Sequence, residues 1–240
     1  YGAVKICRSL NDNGIVCSLK RVQRHMAAQG LRSVVVKKYN HHANQGTVLA
    51  DKENILKRDF QAEPINRKWC TDITYIKTYD EGFVYLTSVM DLYSRKIISW
   101  VLTKTMEANE ILKCIEKAKE RRKVKKPLVI QSDRGVQYTS IQYQEMTEEF
   151  IRSYSRKGTP WDNACIESFH ALIKREWLNF YKIRNYEEAY QLVFEYIEGF
   201  YNTSRIHSHC EYYSPNKYEE KYRLAQTNQN KTSFITNSVI

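Results

Sequence analysis

The chain has 240 residues, and its 38 lysines and arginines outnumber 27 aspartates and glutamates, giving a net charge of +11. Its apolar runs are broken within about ten residues, short of the ~20 that a membrane helix needs, and its six cysteines form no C-x-x-C pair. These features exclude an integral membrane protein and a disulfide framework, and they predict a reducing cytoplasm and an anionic partner.

The positive charge is concentrated at the N-terminus. Residues 1–70 carry 13 basic against 5 acidic residues, a net of +8, and the rest of the chain carries 25 against 22, a net of +3. Residues 1–31 predict two helices joined by a turn at 11–14, the second capped by Ser18 and ended by Gly30. That second helix has a basic face, formed by Lys20, Arg21 and Arg24.

A small helix-turn-helix-like module is therefore predicted over residues 1–45. Val22 and Met26 are expected to pack inward, which leaves the basic side chains free for DNA phosphates. The alternative is a basic helical hairpin that only packs on the rest of the protein. A linker over 46–59 is predicted to follow, within a polar, irregular stretch where NHHANQG (40–46) is the strongest linker signal.

The middle of the chain alternates between strand and helix patterns. In DITYIKTY (72–79), Asp72, Thr74 and Ile76 fall on one face of a predicted strand. Further patterns predict two strands within 82–102 joined by a turn at 91–95, a lysine-rich helix over 107–124 that ends before Pro127, and a buried parallel strand over 128–133. This order predicts a mixed α/β layer.

A helix from Ala164 to about Phe180, with Asp162 or Asn163 as its N-cap, would carry an apolar stripe. The stripe is formed by Ile166, Phe169, Leu172 and Ile173. Because residues seven apart share a helix face, Glu167 and Lys174 are predicted to point the same way. An acidic and a basic side chain would then face one site.

Another amphipathic helix is predicted over 185–202. Its apolar stripe is assigned to the core rather than to a base-stacking surface, and consists of Tyr190, Val193, Phe194, Ile197 and Phe200 or Tyr201. The core would extend over 60–223, and the polar residues 225–240 predict a loosely ordered tail, starting at about 224.

Three carboxylates stand in distinctive surroundings: Asp72 on a strand, Asp133 at the end of a second strand and Glu167 on a helix. Two divalent ions about 3.5–4 Å apart activate a nucleophile and stabilise the leaving oxygen in phosphodiester chemistry. Oxygen-only ligands favour Mg²⁺ or Mn²⁺. The three acids are therefore the predicted ligands of two such ions.

The motifs around these acids resemble a known family. W-x-T-D-I-T-Y, S-D-R-G-V-Q-Y-T-S and S-R-K-G-x-P-x-D-N-A-x-x-E-S-F are similar to the transposases of the insertion-sequence three family, which share the catalytic core of retroviral integrases. The resemblance covers almost the whole chain, including Y-N-x-x-R-x-H (201–207) and Tyr-Tyr-Ser-Pro (212–215). It implies a ribonuclease H-like fold with a mixed five-stranded sheet flanked by helices, preceded by the basic helical module.

The resemblance also implies an activity and its residues. A bacterial, nucleoid-associated transposase would cut transposon ends and join them to target DNA, as a homo-oligomer, with Asp72 bridging both metals. Lys174, with Arg156 and Lys157, would orient the DNA backbone; for the latter pair the alternative is an ordinary solvated loop. Between Asp133 and Glu167 lie 33 residues, about two fewer than is common in the family.

Other classes stay open on the sequence alone. One is a ribonuclease H-like nuclease, which would cut DNA but not join it, and another is a non-catalytic DNA-binding remnant of an inactive element. The start at Tyr1 suggests a fragment whose preceding helix-turn-helix and leucine zipper are missing. His207, His209 and Cys210 lack a second ligand pair, so zinc binding is not favoured. Asp91 is expected to cap its turn or to pair with Arg95.

Overall fold

The computed structural model describes residues 1–34, 52–124 and 128–237, with side chains up to residue 228. The strands are β1 (Lys68–Lys77), β2 (Phe83–Asp91), β3 (Ile97–Thr103), β4 (Val129–Ser132) and β5 (Ile151–Tyr154). The α-helices are α1 (Ala3–Asp12), α2 (Leu19–Ala28), α3 (Ala108–Arg122), α4 (Ile141–Met146), α5 (Ala164–Glu176), α6 (Tyr186–Phe194) and α7 (Pro215–Asn237). Short 3₁₀ turns span Pro160–Asn163 and Leu178–Phe180, and a π-helical segment spans Glu195–Tyr201.

The strands form one mixed sheet in the order β3-β2-β1-β4-β5. Strand β1 pairs antiparallel with β2, which pairs antiparallel with β3, whereas β1–β4 and β4–β5 are parallel. The β1–β4 pairing covers only Lys68 to Cys70, so β1 extends well beyond its parallel neighbour. The predicted five-stranded mixed sheet is confirmed.

Apolar side chains alternate along β1 and pack into two layers. Trp69 faces α3 and α4, where it contacts the ring of Phe150 edge-on at 5.8 Å between centroids. Cys70 and Ile76 face the opposite layer, made by α5, α6 and the π-helical segment. Because the sheet is covered on both faces, its central strands are almost fully buried.

The helical pair at the N-terminus follows the predicted signals. The Ser18 hydroxyl accepts a bond from the Arg21 amide, and Gly30 has a φ of +66° just beyond α2. Val22 is buried between the helices. The pair also contacts the C-terminal half, because Lys5 Nζ donates to the carbonyl of Ile206 at 2.9 Å.

Two predicted helices end earlier than expected. Helix α5 stops at Glu176, and a 3₁₀ turn replaces its expected last turn up to Phe180. The helix predicted over 185–202 is α6 followed by the π-helical segment, whose wider turns shift the side-chain positions. Tyr190 and Phe194 lie in α6 before that segment, each one position after a buried residue, Ala189 or Val193, so they turn off the buried face. They are 45% and 51% exposed, and their assignment to the core was wrong.

The ends of the predicted core also differ from expectation. Helix α7 continues to Asn237, where the sequence predicted a loosely ordered tail. Residues 52–59 of the predicted linker are irregular, but Leu56 is buried and its amide donates to Ser153 Oγ at 2.8 Å. The rest of the linker signal, including 40–46, lies outside the described residues, so the domain boundaries stay predictions.

A buried ion pair fixes α7 to the sheet layer. Glu219 is fully buried and accepts hydrogen bonds from both terminal nitrogens of Arg122, at 2.6 and 2.9 Å, and from Ser94 Oγ at 2.7 Å. Burial raises the pKa of the Glu219 carboxyl, but the bonds and charge of Arg122 outweigh that effect and hold the pKa below its usual value. We call Glu219, Arg122 and Ser94 the α7 clamp.

The turn between β2 and β3 resolves the two alternatives for Asp91. Its carboxylate accepts bonds from the backbone amides of Tyr93 and Asn66, both at 2.9 Å, so Asp91 acts as a turn cap. Arg95 instead donates to Cys165 Sγ at 2.9 Å. Burial raises the pKa of Asp91 to about 6.

Candidate active site

Asp72 lies where β1 leaves its parallel neighbour. It is two residues beyond Cys70, the last β1 residue paired with β4, and its cross-strand partner on β2 is Ser88. The side chain is only 17% exposed. This position in β1 thus holds the carboxylate at the border between the core and the crevice that opens beside β4.

Asp133 follows directly after β4. Its Oδ1 accepts a hydrogen bond from the amide of Gly135 at 2.9 Å, which turns the chain sharply away from the strand. A Cβ on Gly135 would lie 3.1 Å from Asp133 Oδ1, so a side chain there would crowd this carboxylate. Strands β1 and β4 are neighbours, so they bring Asp72 and Asp133 to one edge of the crevice.

Glu167 comes from the first turn of α5. Asn163 occupies the predicted N-cap position, but its side chain does not cap the helix; its Nδ2 donates to the carbonyl of Thr71 at 3.2 Å. This bond ties the start of α5 to β1 next to Asp72. Ile166 and Phe169 of the predicted stripe are buried against the sheet, which directs Glu167 to the crevice.

The three carboxyl groups influence each other electrostatically. Burial, followed by the charges of Asp72 and Asp133, raises the pKa of Glu167 from 4.5 to about 7. Burial also raises the pKa of Asp133, helped by the charge of Asp72, although the Gly135 amide opposes the rise. The negative charges of these acids therefore oppose one another's ionisation.

The donor set suits hard divalent ions, since all three groups offer oxygen ligands and their mutual repulsion is relieved by a cation between them. Among the described residues, no three His, Cys, Asp or Glu side chains are grouped closely enough to hold an ion. Asp133 Oδ1 accepts from the Gly135 amide, and Asp72 Oδ2 lies 3.5 Å from the Nδ1 atom of a histidine.

That histidine, His170, was missed by the sequence reasoning. Its Nδ1 lies 3.5 Å from Asp72 Oδ2, and its Nε2 lies 3.4 Å from Ser88 Oγ. His170 is buried and lies three residues after Glu167 on the same side of α5. This spacing was the available signal, and the contact with Asp72 makes His170 a candidate for positioning that carboxylate.

A cleft of about 370 Å³ contains two of the acids. Asp133 and Glu167 line it, together with the loop residues Arg156 and Lys157. Arg156 is bound to the buried carboxylate of Asp162, with its Nε 3.0 Å from Oδ2. Arg156 thus binds a carboxylate of the protein itself. Contact of Arg156 and Lys157 with the DNA backbone stays a prediction.

The same loop is held in place by Asp162. Arg58 and Arg156 both donate to its carboxylate, at 2.6 and 3.0 Å. Although burial raises the pKa of Asp162, these hydrogen bonds lower it to about 2. The loop that borders Glu167 is therefore anchored at neutral pH by a charged buried group.

Lys174 lies two turns after Glu167 on α5. Its Nζ is 4.4 Å from the centre of the Tyr75 ring. Burial lowers the pKa of Lys174, and the charge of Asp72 acts in the opposite direction. Lys20, Arg21 and Arg24 lie far from this region in sequence, on α2, and all three are exposed there.

The remaining expectations concern cysteines and membranes. All six cysteines are free thiols: Cys7, Cys17, Cys70, Cys114, Cys165 and Cys210. His207 Nε2 accepts a hydrogen bond from Arg205 Nη1, 3.3 Å away, and His209 contacts the carbonyl of Tyr93. None of the helices described here combines the length and apolarity needed to cross a bilayer.

The raised pKa of Glu167 predicts how stability depends on pH without divalent ions. Because the pKa of Glu167 is higher in the native state, the native state holds more protons than the unfolded chain between pH 4.5 and about 7. The contribution of this proton to the free energy of unfolding is complete below pH 4.5 and is lost as pH rises through this window. We expect Glu167→Gln to remove this fall and to melt at a higher temperature than wild type at pH 8 in EDTA. A steeper fall in Glu167→Gln than in wild type would contradict this; Glu116→Gln, exposed on α3, is the control.

The sequence and fold match known proteins. The integrase core domain matches residues 63–160 and again 148–215, and an HTH-like domain matches residues 1–39. The chain is 38% identical over 223 residues to the transposase for insertion sequence element IS904 of Lactococcus lactis subsp. lactis (strain IL1403), covering 92% of this chain and 87% of the relative.

A second relative and one solved structure agree with this. Transposase InsF for insertion sequence IS3A of Escherichia coli (strain K12) is 37% identical over 223 residues, 92% of this chain and 77% of the relative. A chain of the simian T-cell lymphotropic virus intasome in complex with PP2A regulatory subunit B56 gamma superimposes with a TM-score of 0.53 at 14% identity, covering 89% of this chain and 70% of that chain. At this identity the likeness shows the fold alone, which is ribonuclease H-like. Sequence identity over nearly the whole chain shows that it belongs to the insertion-sequence three family of transposases.

Proposed function

We propose that this protein is a metal-dependent DNA transposase that cleaves transposon ends and joins them to target DNA. The observation that carries the proposal is the proximity of Asp72 on β1, Asp133 after the neighbouring strand β4, and Glu167 on the facing helix α5. The charge of Asp72 helps to raise the pKa of both Asp133 and Glu167. Membership of a transposase family supports the same activity.

The three carboxylates would hold two Mg²⁺ or Mn²⁺ ions, with Asp72 as the shared ligand. Bound there, such ions would polarise the phosphodiester, favour a deprotonated nucleophile and stabilise the leaving oxygen. Asp133 and Glu167 would each complete one site. His170 would keep the Asp72 carboxylate directed to the crevice, because its ring is packed between that carboxylate and Ser88.

Both reactions are direct displacements at phosphorus without a covalent protein intermediate. In cleavage, water oxygen forms a bond to phosphorus, the bond to the 3′ oxygen breaks, and the water proton passes to solvent. In joining, the freed 3′-hydroxyl takes the place of water and the target phosphodiester is opened. Lys174 would hold the phosphate backbone next to Glu167, since both lie on the crevice side of α5.

The N-terminal module would supply further DNA contact. Lys20, Arg21 and Arg24 are exposed on α2, and none of them forms an ion pair within the described part of the chain. Free cations on one short helix suit a phosphate backbone. A homo-oligomer would then align two transposon ends in the active complex.

A strand-transfer assay tests this function. A pre-cleaved transposon-end duplex with a free 3′-hydroxyl is mixed with plasmid DNA, in Mg²⁺, Mn²⁺ or EDTA. We expect joined products with either ion and none in EDTA. Cutting of uncleaved ends without joining would favour a nuclease, and DNA binding without either reaction would favour an inactive remnant.

Lys174 gives a more specific prediction. Because its ammonium is expected to bind a phosphate near the scissile bond, Lys174→Ala should reduce joining about tenfold at moderate salt and less at low salt, where other contacts compensate. Lys174→Glu should be worse, since it places an anion beside the acids. Lys117→Ala, an exposed lysine on α3, is the control. Unaltered joining by Lys174→Glu would remove this lysine from the site.

A further inference from the structure

A second groove lies on the far side of Lys174 from Glu167. It has a volume of about 400 Å³, within the range of pockets that hold small ligands, roughly 300–1,000 Å³. We call it the strand groove, and it is lined by Tyr75, Ile76, Lys77, Lys174, Leu178, Asn179, Tyr181 and Ile183. Leu178 and Ile183 are buried and form an apolar floor.

Aromatic rings stand exposed along the groove and beyond it. Tyr75 is 59% exposed and Tyr79 is 70% exposed, although both belong to a segment that begins inside the core. Tyr75 lies on β1, and Tyr79 follows two residues after the end of that strand. Burying such rings is favourable, so their exposure needs an explanation.

Each of these rings is accompanied by a lysine. Lys174 Nζ lies 4.4 Å from the Tyr75 ring centre, and Lys182 Nζ lies 4.1 Å from the Tyr79 ring centre. The backbone fixes the second pair, because the Tyr79 amide donates to the carbonyl of Ile183 at 2.9 Å. Two lysine–tyrosine pairs therefore follow one another away from Asp72.

The charge of the strand groove is one-sided. Lys77, Lys174 and Lys182 form no ion pair with any acid in the described ranges, and no acidic side chain among the described residues lines the strand groove. Elsewhere, exposed lysines do find acidic partners, as Lys221 does at Glu211, 2.8 Å away. Unpaired cations beside exposed rings are typical of surfaces that bind single-stranded nucleic acid.

We propose that the strand groove, with Tyr79 and Lys182, binds an unpaired DNA strand that leads away from the three carboxylates. A base stacks on each tyrosine ring, and the lysine that covers the ring moves to the phosphate of that nucleotide. A lysine on an exposed ring is bound more weakly than a stacked base, which favours this exchange. The inference rests on the proposed function, because it assigns a DNA strand to the same site.

Duplex DNA fits this surface less well. In a duplex the base faces are stacked on one another and only their edges are accessible in the grooves. Exposed tyrosine rings above an apolar floor instead match the faces of unpaired bases. The transposon end next to the scissile bond is where such unpaired nucleotides would be needed.

Binding in EDTA tests the inference separately from chemistry. A fluorescein-labelled single strand and its duplex are titrated with the full chain and followed by fluorescence anisotropy. We expect Tyr75→Leu/Tyr79→Leu to weaken single-strand binding about tenfold and duplex binding less, and Tyr75→Phe/Tyr79→Phe to restore it to within about twofold. Lys182→Gln should lower the slope of log affinity against log salt by about 0.7.

The controls separate the possible outcomes. Tyr190→Leu removes a 45% exposed ring on another surface and should leave binding unchanged. Ultraviolet crosslinking of a 5-iodouracil strand should label Tyr75 or Tyr79. Three results would overturn the inference: wild-type affinity of Tyr75→Leu/Tyr79→Leu for the single strand, an equal loss of affinity in Tyr75→Phe/Tyr79→Phe, or crosslinks only to α2. If the protein cleaves and joins DNA but gives one of these results, the inference fails and the proposed function stands. If single-strand binding depends on the groove but neither reaction occurs, the inference stands and the proposed function fails.

Discussion

Asp72→Asn, Asp133→Asn and Glu167→Gln are each expected to abolish cleavage and joining. The loss should exceed about a thousandfold, or ~4 kcal/mol of transition-state stabilisation, because each change removes an anionic ligand from ions that the other two cannot hold alone. The measurement is the strand-transfer assay in Mg²⁺ and in Mn²⁺, with a complete, active protein.

The fold should survive these changes. Each variant keeps the shape of the side chain and removes one of three like charges, so melting temperatures in EDTA at pH 8 should equal or exceed that of wild type. Glu116→Gln provides a matched change of charge on an exposed face of α3. Near-full activity in any one variant would exclude that residue from the site.

Glu219→Gln is expected to have the largest effect on stability. The amide keeps the shape of the carboxylate but leaves Arg122, whose side chain is 7% exposed, without its anion. Losing one partner of a buried pair costs about 3–5 kcal/mol. Since the α7 clamp joins α7 to α3 and to the turn after β2, the whole helix should lose its attachment.

Urea unfolding followed by circular dichroism measures this change. The matched control is Lys221→Gln in the exposed pair with Glu211, where about 0–1 kcal/mol is expected. Wild-type stability should also fall as the pH drops through the lowered pKa of Glu219, and this part of the acid dependence should be absent from the variant. Equal effects of both substitutions would contradict a structural role for the clamp.

The sequence predicted the sheet and its acids because both depend on local patterns. Alternation along β1 assigned Asp72 to a defined face of the strand. The apolar run before Asp133 indicated a buried strand that ends next to this residue. The apolar stripe of α5 determined the direction of Glu167. These signals come from residues close together in sequence, so no knowledge of tertiary contacts was needed.

The errors arise where distant residues decide the outcome. Polar composition suggested a loosely ordered C-terminus, but helix α7 continues to Asn237. Earlier on this helix, Glu219 pairs with Arg122, a contact that sequence periodicity does not contain. Tyr190 and Phe194 each follow a buried residue of α6, Ala189 or Val193, and the apolar pattern alone did not show which of these positions faces the core. His170 acquires its role from Asp72, almost one hundred residues earlier, and only the packed fold joins the two.

The early end of the pairing between β1 and β4 also affects how the protein avoids aggregation. Beyond Cys70, no strand in the described chain covers this edge of β1, and an uncovered edge can pair with a strand from another molecule. Charged side chains along such an edge discourage that pairing. Asp72 and Lys77 lie on this stretch, so residues suited to DNA chemistry also help to keep separate copies of the protein from joining edge to edge.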